Sequence, residues 1–224
     1  MKLTVDILED FINTLDLSGP VISFTDDGAS TILTVEKTFH ARRGMVLDVD
    51  GNPYTIEAVT NNNTIQVAGV IVQPERYILP NPFYFHGTPI MTNANHIKGA
   101  DSVEKLPMIY LYEILREVDK RPDSRVVKEA DLRLFFMDTA NYEEWTTDDH
   151  YSQRLQGLNN LVDAFIEAAR AYRCCFYLYN TDFTRINHVN WGVFVTDKGH
   201  RRRIFDDDLT GVELNFTLSL KKCN

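Results

Sequence analysis

The side chains most able to do chemistry lie close together near the end of the chain, in the segment 200–208. A histidine and three carboxylates there are groups that bind a divalent metal in hydrolases and nucleases. Consecutive aspartates cannot all turn toward one ion from an extended chain, and a basic triplet stands beside them. The pattern is more typical of a solvated loop or of a contact between subunits. The residues proposed for such a contact are Arg201, Arg202, Arg203, Asp206, Asp207 and Asp208.

A second polar stretch, residues 91–105, lies between two hydrophobic runs. Few apolar side chains anchor it, which is typical either of an idle loop or of an arm that a neighbouring subunit orders. Its histidine has no partner at the spacing of metal ligands. The further candidates for a subunit contact are His96, Lys98, Glu104 and Lys105.

The motifs of the common enzyme classes do not occur in the sequence. It has no glycine-rich phosphate loop, GxSxG elbow, HExxH helix or paired-cysteine zinc pattern. The 3 cysteines, two of them adjacent at Cys174 and Cys175, are an odd number and favour reduced thiols in a cytosolic setting. We therefore expect no enzymatic activity, no cofactor and no bound metal.

The charge balance limits the partners of the chain. Its 23 basic and 32 acidic residues give a net charge of −9, which disfavours a surface built to clamp nucleic acid. Acidic residues at Asp6, Glu9 and Asp10 interrupt the stretch where a signal peptide would be apolar. No apolar run approaches the ~18 residues of a membrane helix. We expect a folded protein that is not exported and has no membrane partner.

The first third of the chain predicts one helix and then only strands. Val5, Leu8, Ile12 and Leu15 recur at helical spacing within 4–16, and Pro20 marks a boundary. Short β-like runs follow, separated by Asp, Asn and Gly turns, and they predict a small barrel or sandwich or an extension of a larger sheet. These runs are 21–24, 31–39, 45–50, 53–59 and 64–72.

The remainder alternates between strand and helix patterns. A helix is predicted within 143–172 from its acidic first turn and apolar periodicity. Strands are predicted at 82–90, 106–118, 125–141, 174–180, 188–196 and 211–221. The predicted fold class is α+β, with a mixed or antiparallel sheet, helices packed on one face and an inserted small all-β module. The predicted divisions are 1–19 (helix of the main domain), 20–78 (β module) and 79–224 (main domain).

Three stretches together resemble virion proteins of tailed bacteriophages from the head-to-tail junction, the tail terminator and neck group. The most suggestive is the run from Asp208 through Leu209, Thr210 and Gly211 into an alternating strand. That family has no catalytic residues, so none are transferred to this chain. The three stretches are 83–115, 130–145 and 204–223.

The resemblance implies an α+β subunit that forms a ring, terminates the tail tube and connects it to the neck. The implied partners are copies of itself, six in a hexamer, the tail tube and neck or connector proteins, and genomic DNA that passes through the lumen without specific binding. The implied location is the virion, assembled in the cytoplasm of the host bacterium. An acidic surface suits DNA passage because like charge prevents adhesion. Ring closure requires two complementary patches on each subunit, which the arginine and aspartate triplets could supply.

Two alternatives remain open from the sequence. The first is a tail-tip or baseplate component that binds a partner through the β module. The second is a metal-dependent hydrolase that uses Asp206–Asp208.

Overall fold

A computed structural model describes residues 3–89, 105–112, 115–120, 126–172, 176–177, 182–195 and 197–221. Its first elements are α1 (Thr4–Ile12), β1 (Ser18–Asp26), β2 (Ser30–Val35), β3 (Val46–Val49), β4 (Asn52–Thr60), β5 (Thr64–Ala68), β6 (Arg76–Ile78) and β7 (Phe83–Gly87). The next are β8 (Met108–Tyr112), β9 (Arg116–Asp119), β10 (Val126–Thr139), α2 (Thr147–His150) and α3 (Gln156–Ala171), with a π-helical turn at Tyr151–Leu155. The last are β11 (Phe176–Tyr177), β12 (Thr184–Trp191), β13 (Val193–Val195), β14 (Arg201–Arg203) and β15 (Leu209–Lys221).

The first six strands form a closed barrel in the order β1-β2-β5-β4-β3-β6. Apolar residues alternate with polar ones along its strands, and the inward-facing apolar side chains fill the interior. Leu33, Leu47, Ile65 and Val67 are fully buried there. The prediction of a small all-β module is confirmed. Strand β6 was not predicted, because its three residues follow Pro74 and carry no alternating run of their own.

The larger sheet has the order β11-β15-β10-β8-β7, with β12 also pairing with β15 and β9 with β10. Pairing is antiparallel except between β7 and β8, which run parallel. The predicted hairpin between the run at 106–118 and the run at 125–141 is present as β8 and β9 against β10. The sheet is therefore mixed, and the predicted α+β class is confirmed.

The main helix begins where the sequence places its cap. Asp149 N–H donates to Thr146 Oγ1 at 3.4 Å, and Thr146 N–H donates back to the Asp149 carboxylate at 2.8 Å. This reciprocal pairing satisfies amides that have no partner inside the helix. The chain then runs through the π-helical turn into α3, whose apolar side is buried against the sheet. α1 is buried along its apolar side as predicted, but it ends at Ile12 rather than near residue 16.

One continuous apolar core joins the barrel to the main sheet. It contains the barrel interior, the buried side of α1, the buried side of α3 and the even-numbered residues of β10 and β15. Phe11 of α1 shows the connection, because its ring packs edge-on against Phe165 of α3 at 5.2 Å and Phe176 of β11 at 5.1 Å. The barrel is consequently packed onto the same core as the sheet.

A smaller core covers part of the opposite face of the sheet. Trp191 and Phe205 fold over Tyr110, Phe135 and their apolar neighbours there. The helices pack on one face of the main sheet, as expected. On the other face, Trp191 and Phe205 shield one end of the sheet from solvent. Among the described residues, no helix has the length and apolar character needed to cross a membrane.

Candidate functional site

The arginine triplet expected in a connecting loop is strand β14. It pairs antiparallel with β13, with Val193 opposite Arg203 and Val195 opposite Arg201. The loop expectation fails because the preceding turn at Gly199, where φ is +76°, folds the chain back into a two-stranded ribbon. Buried Phe205 then anchors the segment in the second core.

The basic and acidic triplets meet within one chain. Arg203 Nη1 lies 2.7 Å from Asp208 Oδ1. Arg202, Arg203 and Asp206 are exposed, and Asp207 and Asp208 are half-buried. One arginine and one aspartate of the proposed contact are thus paired with each other within the chain.

The described part of the chain contains no group of three or more His, Cys, Asp or Glu side chains that could hold a metal ion. Lys105 of the second predicted contact is half-buried just before Leu106. His96, Lys98 and Glu104 lie outside the described residues, as do Cys174, Cys175 and Cys223.

A polar cluster that the sequence did not predict is built around Glu213 on the second face of the main sheet. Arg133 donates to its carboxylate twice, from Nε to Oε1 at 2.6 Å and from Nη2 to Oε2 at 3.0 Å. Asn215 Nδ2 donates to Oε1 at 2.9 Å, and His188 Nε2 lies 2.7 Å from Oε2. The cluster therefore ties together β10, β12 and β15.

The pairing keeps Glu213 ionised. Burial of the carboxyl group acts to raise the pKa of Glu213, but hydrogen bonds from Arg133, Asn215 and His188 outweigh burial and hold that pKa below its ordinary value. A carboxylate whose two oxygens already accept four contacts is poorly placed to take a substrate proton. The arrangement is suited to positioning three strands rather than to acid–base chemistry.

A second polar cluster joins the barrel to the helix. Asp138, which is buried, lies 3.3 Å from Arg42 Nη1 of the barrel and 3.4 Å from Arg154 Nε of the π-helical turn. Arg42 Nη2 also donates to the carbonyl of Leu106 at 2.8 Å, and Arg154 covers the ring of Trp145. Two guanidinium groups from different elements thus share one buried carboxylate.

An apolar groove of about 660 Å³ lies where the barrel meets the sheet, and His40 lines it. His40 Nε2 lies 3.0 Å from the carbonyl of Pro80, so this nitrogen carries the proton of the neutral ring and donates it. Its Nδ1 is buried and has no hydrogen-bond partner among the described residues. Desolvation lowers the pKa of His40 to about 4. Other residues of the groove include Arg43, Val46, Ile78 and Phe83.

The sheet edges are a further structural feature of the chain. Within the described ranges, β7 pairs only with β8 at one side of the main sheet and β12 pairs only with β15 at the other. Phe83 of β7 and Ile186 of β12 are exposed large apolar residues at these two edges.

Sequence reasoning missed the two polar clusters because their members are far apart in the chain. Arg133 and Glu213 are separated by 80 residues, and no local spacing relates them. One signal was available: Glu213 lies between the buried apolar positions Val212 and Leu214, so it must occupy the opposite face of a central strand. His40 and Asp138 carry no comparable local signal.

Comparison with protein-family models, with curated proteins and with solved structures finds no match for this chain.

Proposed function

We propose that this chain is a structural, non-enzymatic protein of a tailed-bacteriophage virion, one subunit of a ring at the head-to-tail junction. In this proposal the ring terminates the tail tube, joins it to the neck and lets genomic DNA pass through its lumen. The proposal rests on the sequence resemblance at 83–115, 130–145 and 204–223, and on one feature of the fold.

That feature is the difference between the two outer strands that the described residues give the main sheet, each of which exposes a large apolar side chain, Phe83 on β7 and Ile186 on β12. β7 and β12 lie at opposite sides of the sheet and differ in sequence, so contact between them joins one copy to the next head to tail. A repeated head-to-tail contact closes into a ring when the rotation between copies divides a full turn. The Arg201–Arg203 and Asp206–Asp208 triplets belong to the segment that follows β12, where Arg202 and Asp206 are exposed.

The internal pairing of buried charged groups also supports a structural role. Glu213 and Asp138 hold strands and helices together through arginine side chains rather than leaving a reactive group exposed. The net charge of −9 suits a channel wall that must not retain DNA.

The ring is tested by measuring the mass of the purified protein in solution and imaging its particles. We expect closed rings, with six copies as the leading expectation. Ile186→Lys damages one edge and Phe83→Lys the other, so each variant alone should give no rings. A mixture of the two retains one intact pair of edges and should give dimers but no larger particles.

Val72→Lys is the matched control, because Val72 is an exposed apolar residue of the barrel, away from both edges of the main sheet. It should leave the rings intact. A protein that stays a single copy at all concentrations contradicts the proposal, and rings that survive both edge variants contradict the edge contact.

A second candidate function is a tail-tip or baseplate component that contacts its partner through the barrel. It is favoured by exposed apolar residues of the barrel, Ile22, Phe24 and Val72. Attachment of the labelled protein at the distal end of purified tails, instead of at the head, distinguishes this candidate from the first.

A further inference from the structure

The barrel is closed along only part of strand β1. β1 has nine residues, but β6 pairs with it only at Ser18, Gly19 and Pro20. On the same side of β1, the N–H of Val21 donates to the carbonyl of Glu75. Among the described residues, no backbone group bonds to 22–26 from that side. β2 occupies the other side of β1. The far half of β1 is therefore an open edge within a barrel.

The register of β1 against β2 is irregular between Val21 and Ser23, but from Ile22 to Thr25 this edge has no lysine, no proline and no charged residue. Natural edges carry lysine, proline or inward-facing charge, or are covered by another element. Here the sequence from Ile22 to Thr25 is Ile-Ser-Phe-Thr, all four residues are exposed, and Ile22 keeps 64% of its surface accessible. The segment after β5 adds Val70 and Val72 as exposed apolar residues, and Val72 is 83% exposed.

The segment 69–75, which connects β5 to β6, is bonded to the chain at both ends of the open half of β1. Gly69 N–H donates to the carbonyl of Ala29 at the turn between β1 and β2, and the carbonyl of Glu75 accepts from Val21. Residues 69–75 therefore connect the turn to Val21. Between these ends, buried Ile71 donates its N–H to Thr31 Oγ1 of β2 at 2.9 Å, which holds the segment toward β2 rather than beside 22–26.

The charged side chains nearest to the open half of β1 are acidic, and Arg76, the residue after Glu75, is directed at Asp16 and Ser18 instead. Residues 18–36 contain Asp26, Asp27 and Glu36, and residues 60–75 contain Glu75, with no lysine or arginine in either range. Asp27 is held in place at the turn by accepting from the amides of Ala29 and Ser30 at 2.9 and 2.7 Å. An approaching chain thus meets apolar side chains between carboxylates.

We propose that the open half of β1 accepts an extended segment of a different protein, in which apolar residues alternate with lysine or arginine. The segment adds a strand beside 22–26, so backbone bonds provide attachment and its basic side chains meet Asp26, Asp27 and Glu75. A second copy of this chain fits less well, because the net charge of each copy is −9 and its basic run, Arg201–Arg203, is consecutive and already paired with β13. This docking role is independent of the ring.

The probe is a short fluorescent peptide of alternating lysine and valine, with its termini blocked. Fluorescence anisotropy should show saturable binding that weakens as salt rises. Amide hydrogen exchange at 22–26 should slow in the complex. Two control peptides should bind at least about tenfold more weakly: one with glutamate in place of lysine, and one with N-methylated backbone amides that cannot add a strand.

Two independent variants locate the site. The double variant Ile22→Thr with Phe24→Thr and the single variant Glu75→Lys should each raise the Kd at least about tenfold, the first by removing apolar contact and the second by charge repulsion. Val118→Thr, an exposed strand residue of β9, is the matched control and should leave the Kd unchanged. Far-UV circular dichroism verifies that each variant is folded.

Several results overturn the proposal. These are no binding of the lysine peptide, equal binding of the N-methylated peptide, or a Kd unaffected by both variants. Loss of self-assembly in the Ile22→Thr and Phe24→Thr variant assigns the edge to a second copy instead. Ring formation is measured without the peptide, so failure of the ring leaves this test unaffected.

Discussion

Buried polar residues in this protein are used to connect elements that are distant in the sequence. Glu213 is reached by arginine, histidine and asparagine from three strands, and Asp138 by arginines from the barrel and the helix. A buried carboxylate is costly unless it is paired, so each cluster specifies one arrangement of its elements. His40 differs because the described part of the chain offers no partner to one of its ring nitrogens.

His40 should make the protein less stable in mild acid. Its pKa is about 4 when folded against an ordinary value of 6.5, so the unfolded chain binds more protons between these values. The contribution is fully present above pH 6.5 and is lost as the pH falls toward 4, by up to about 3 kcal/mol. Urea unfolding at several pH values measures the slope, which His40→Gln should reduce by removing the titrating ring while retaining a donor for Pro80.

The control for this slope is Asn52→Gln, because Asn52 is exposed and does not titrate. That variant should leave the pH dependence as it is in the parent protein. Burial also lowers the pKa of His150, so a smaller slope of the same sign should persist in His40→Gln. An unchanged slope in His40→Gln contradicts the assignment.

Arg133 should contribute more to stability than Arg202, an exposed arginine of β14. Arg133→Met leaves the buried carboxylate of Glu213 with only His188 and Asn215, and we expect a loss of about 2 kcal/mol, reduced from the cost of a fully buried pair because Arg133 is half exposed. The pKa of Glu213 should rise in the variant. Chemical denaturation measures the loss, and Arg202→Met, at an exposed position, should change stability by less than about 0.5 kcal/mol.

At the scale of elements, the barrel module and the main helix approach each other closely at Gly157 of α3. A Cβ atom added there would lie 2.1 Å from the carbonyl oxygen of Phe39, which is backbone and cannot turn aside. Gly157→Ala should therefore destabilise the protein by about 3 kcal/mol, although the same change at a free helical position stabilises. Thermal and urea unfolding measure the effect.

The control for the helix substitution is Glu167→Ala, at an exposed position of the same helix. Helix propensity alone should change its stability by a few tenths of a kcal/mol. A Gly157→Ala protein as stable as this control would show that α3 does not approach the barrel as closely as the structure places it.

Local sequence patterns were sufficient for the elements whose periodicity is long. The alternation along β15, from Val212 to Leu220, predicted a half-buried strand. The second half of β15 has this pattern, whereas 209–214 are buried on both faces because the second core covers them. The apolar spacing and the cap at Thr146 identified the main helix. The barrel followed from short strands separated by turn residues. In each case the face that packs on the main core is apolar, so apolar residues recur in the sequence every two residues in a strand and every 3.6 residues in a helix.

Short elements and distant pairs could not be predicted in the same way. β6 has three residues, too few to show a period, yet it closes the barrel by pairing with β1 and β3. β14 is a run of arginines whose strand geometry comes from its partner β13 rather than from its own composition. The clusters at Glu213 and Asp138 depend on the order of the strands and on the packing of the barrel. A short stretch of sequence contains neither kind of information.

At the scale of the whole molecule, the barrel and the sheet behave as one packing unit. The apolar core runs from the barrel interior through α1 and α3 to the main sheet. Asp138 adds a polar connection between Arg42 of the barrel and Arg154 beside the helix. An inserted module held in this way does not need independent stability, which is consistent with a barrel of short strands.

Unfolding should consequently be a single transition that includes the barrel. Leu33 is fully buried in the barrel, and Leu33→Ala should cost about 3 kcal/mol. Both tryptophans, Trp145 and Trp191, lie outside the barrel, so their fluorescence reports on the main domain alone. Fluorescence and far-UV circular dichroism should give the same shifted midpoint in this variant.

Leu134→Ala, at an equally buried position of β10, is the matched change in the main sheet. It should move both signals together by a similar amount, because removal of packing from either side weakens the same core. If Leu33→Ala instead moved the circular dichroism signal and left the tryptophan transition where it was, the barrel would unfold separately. The shared core and the pairing at Asp138 would then contribute too little to couple the two parts.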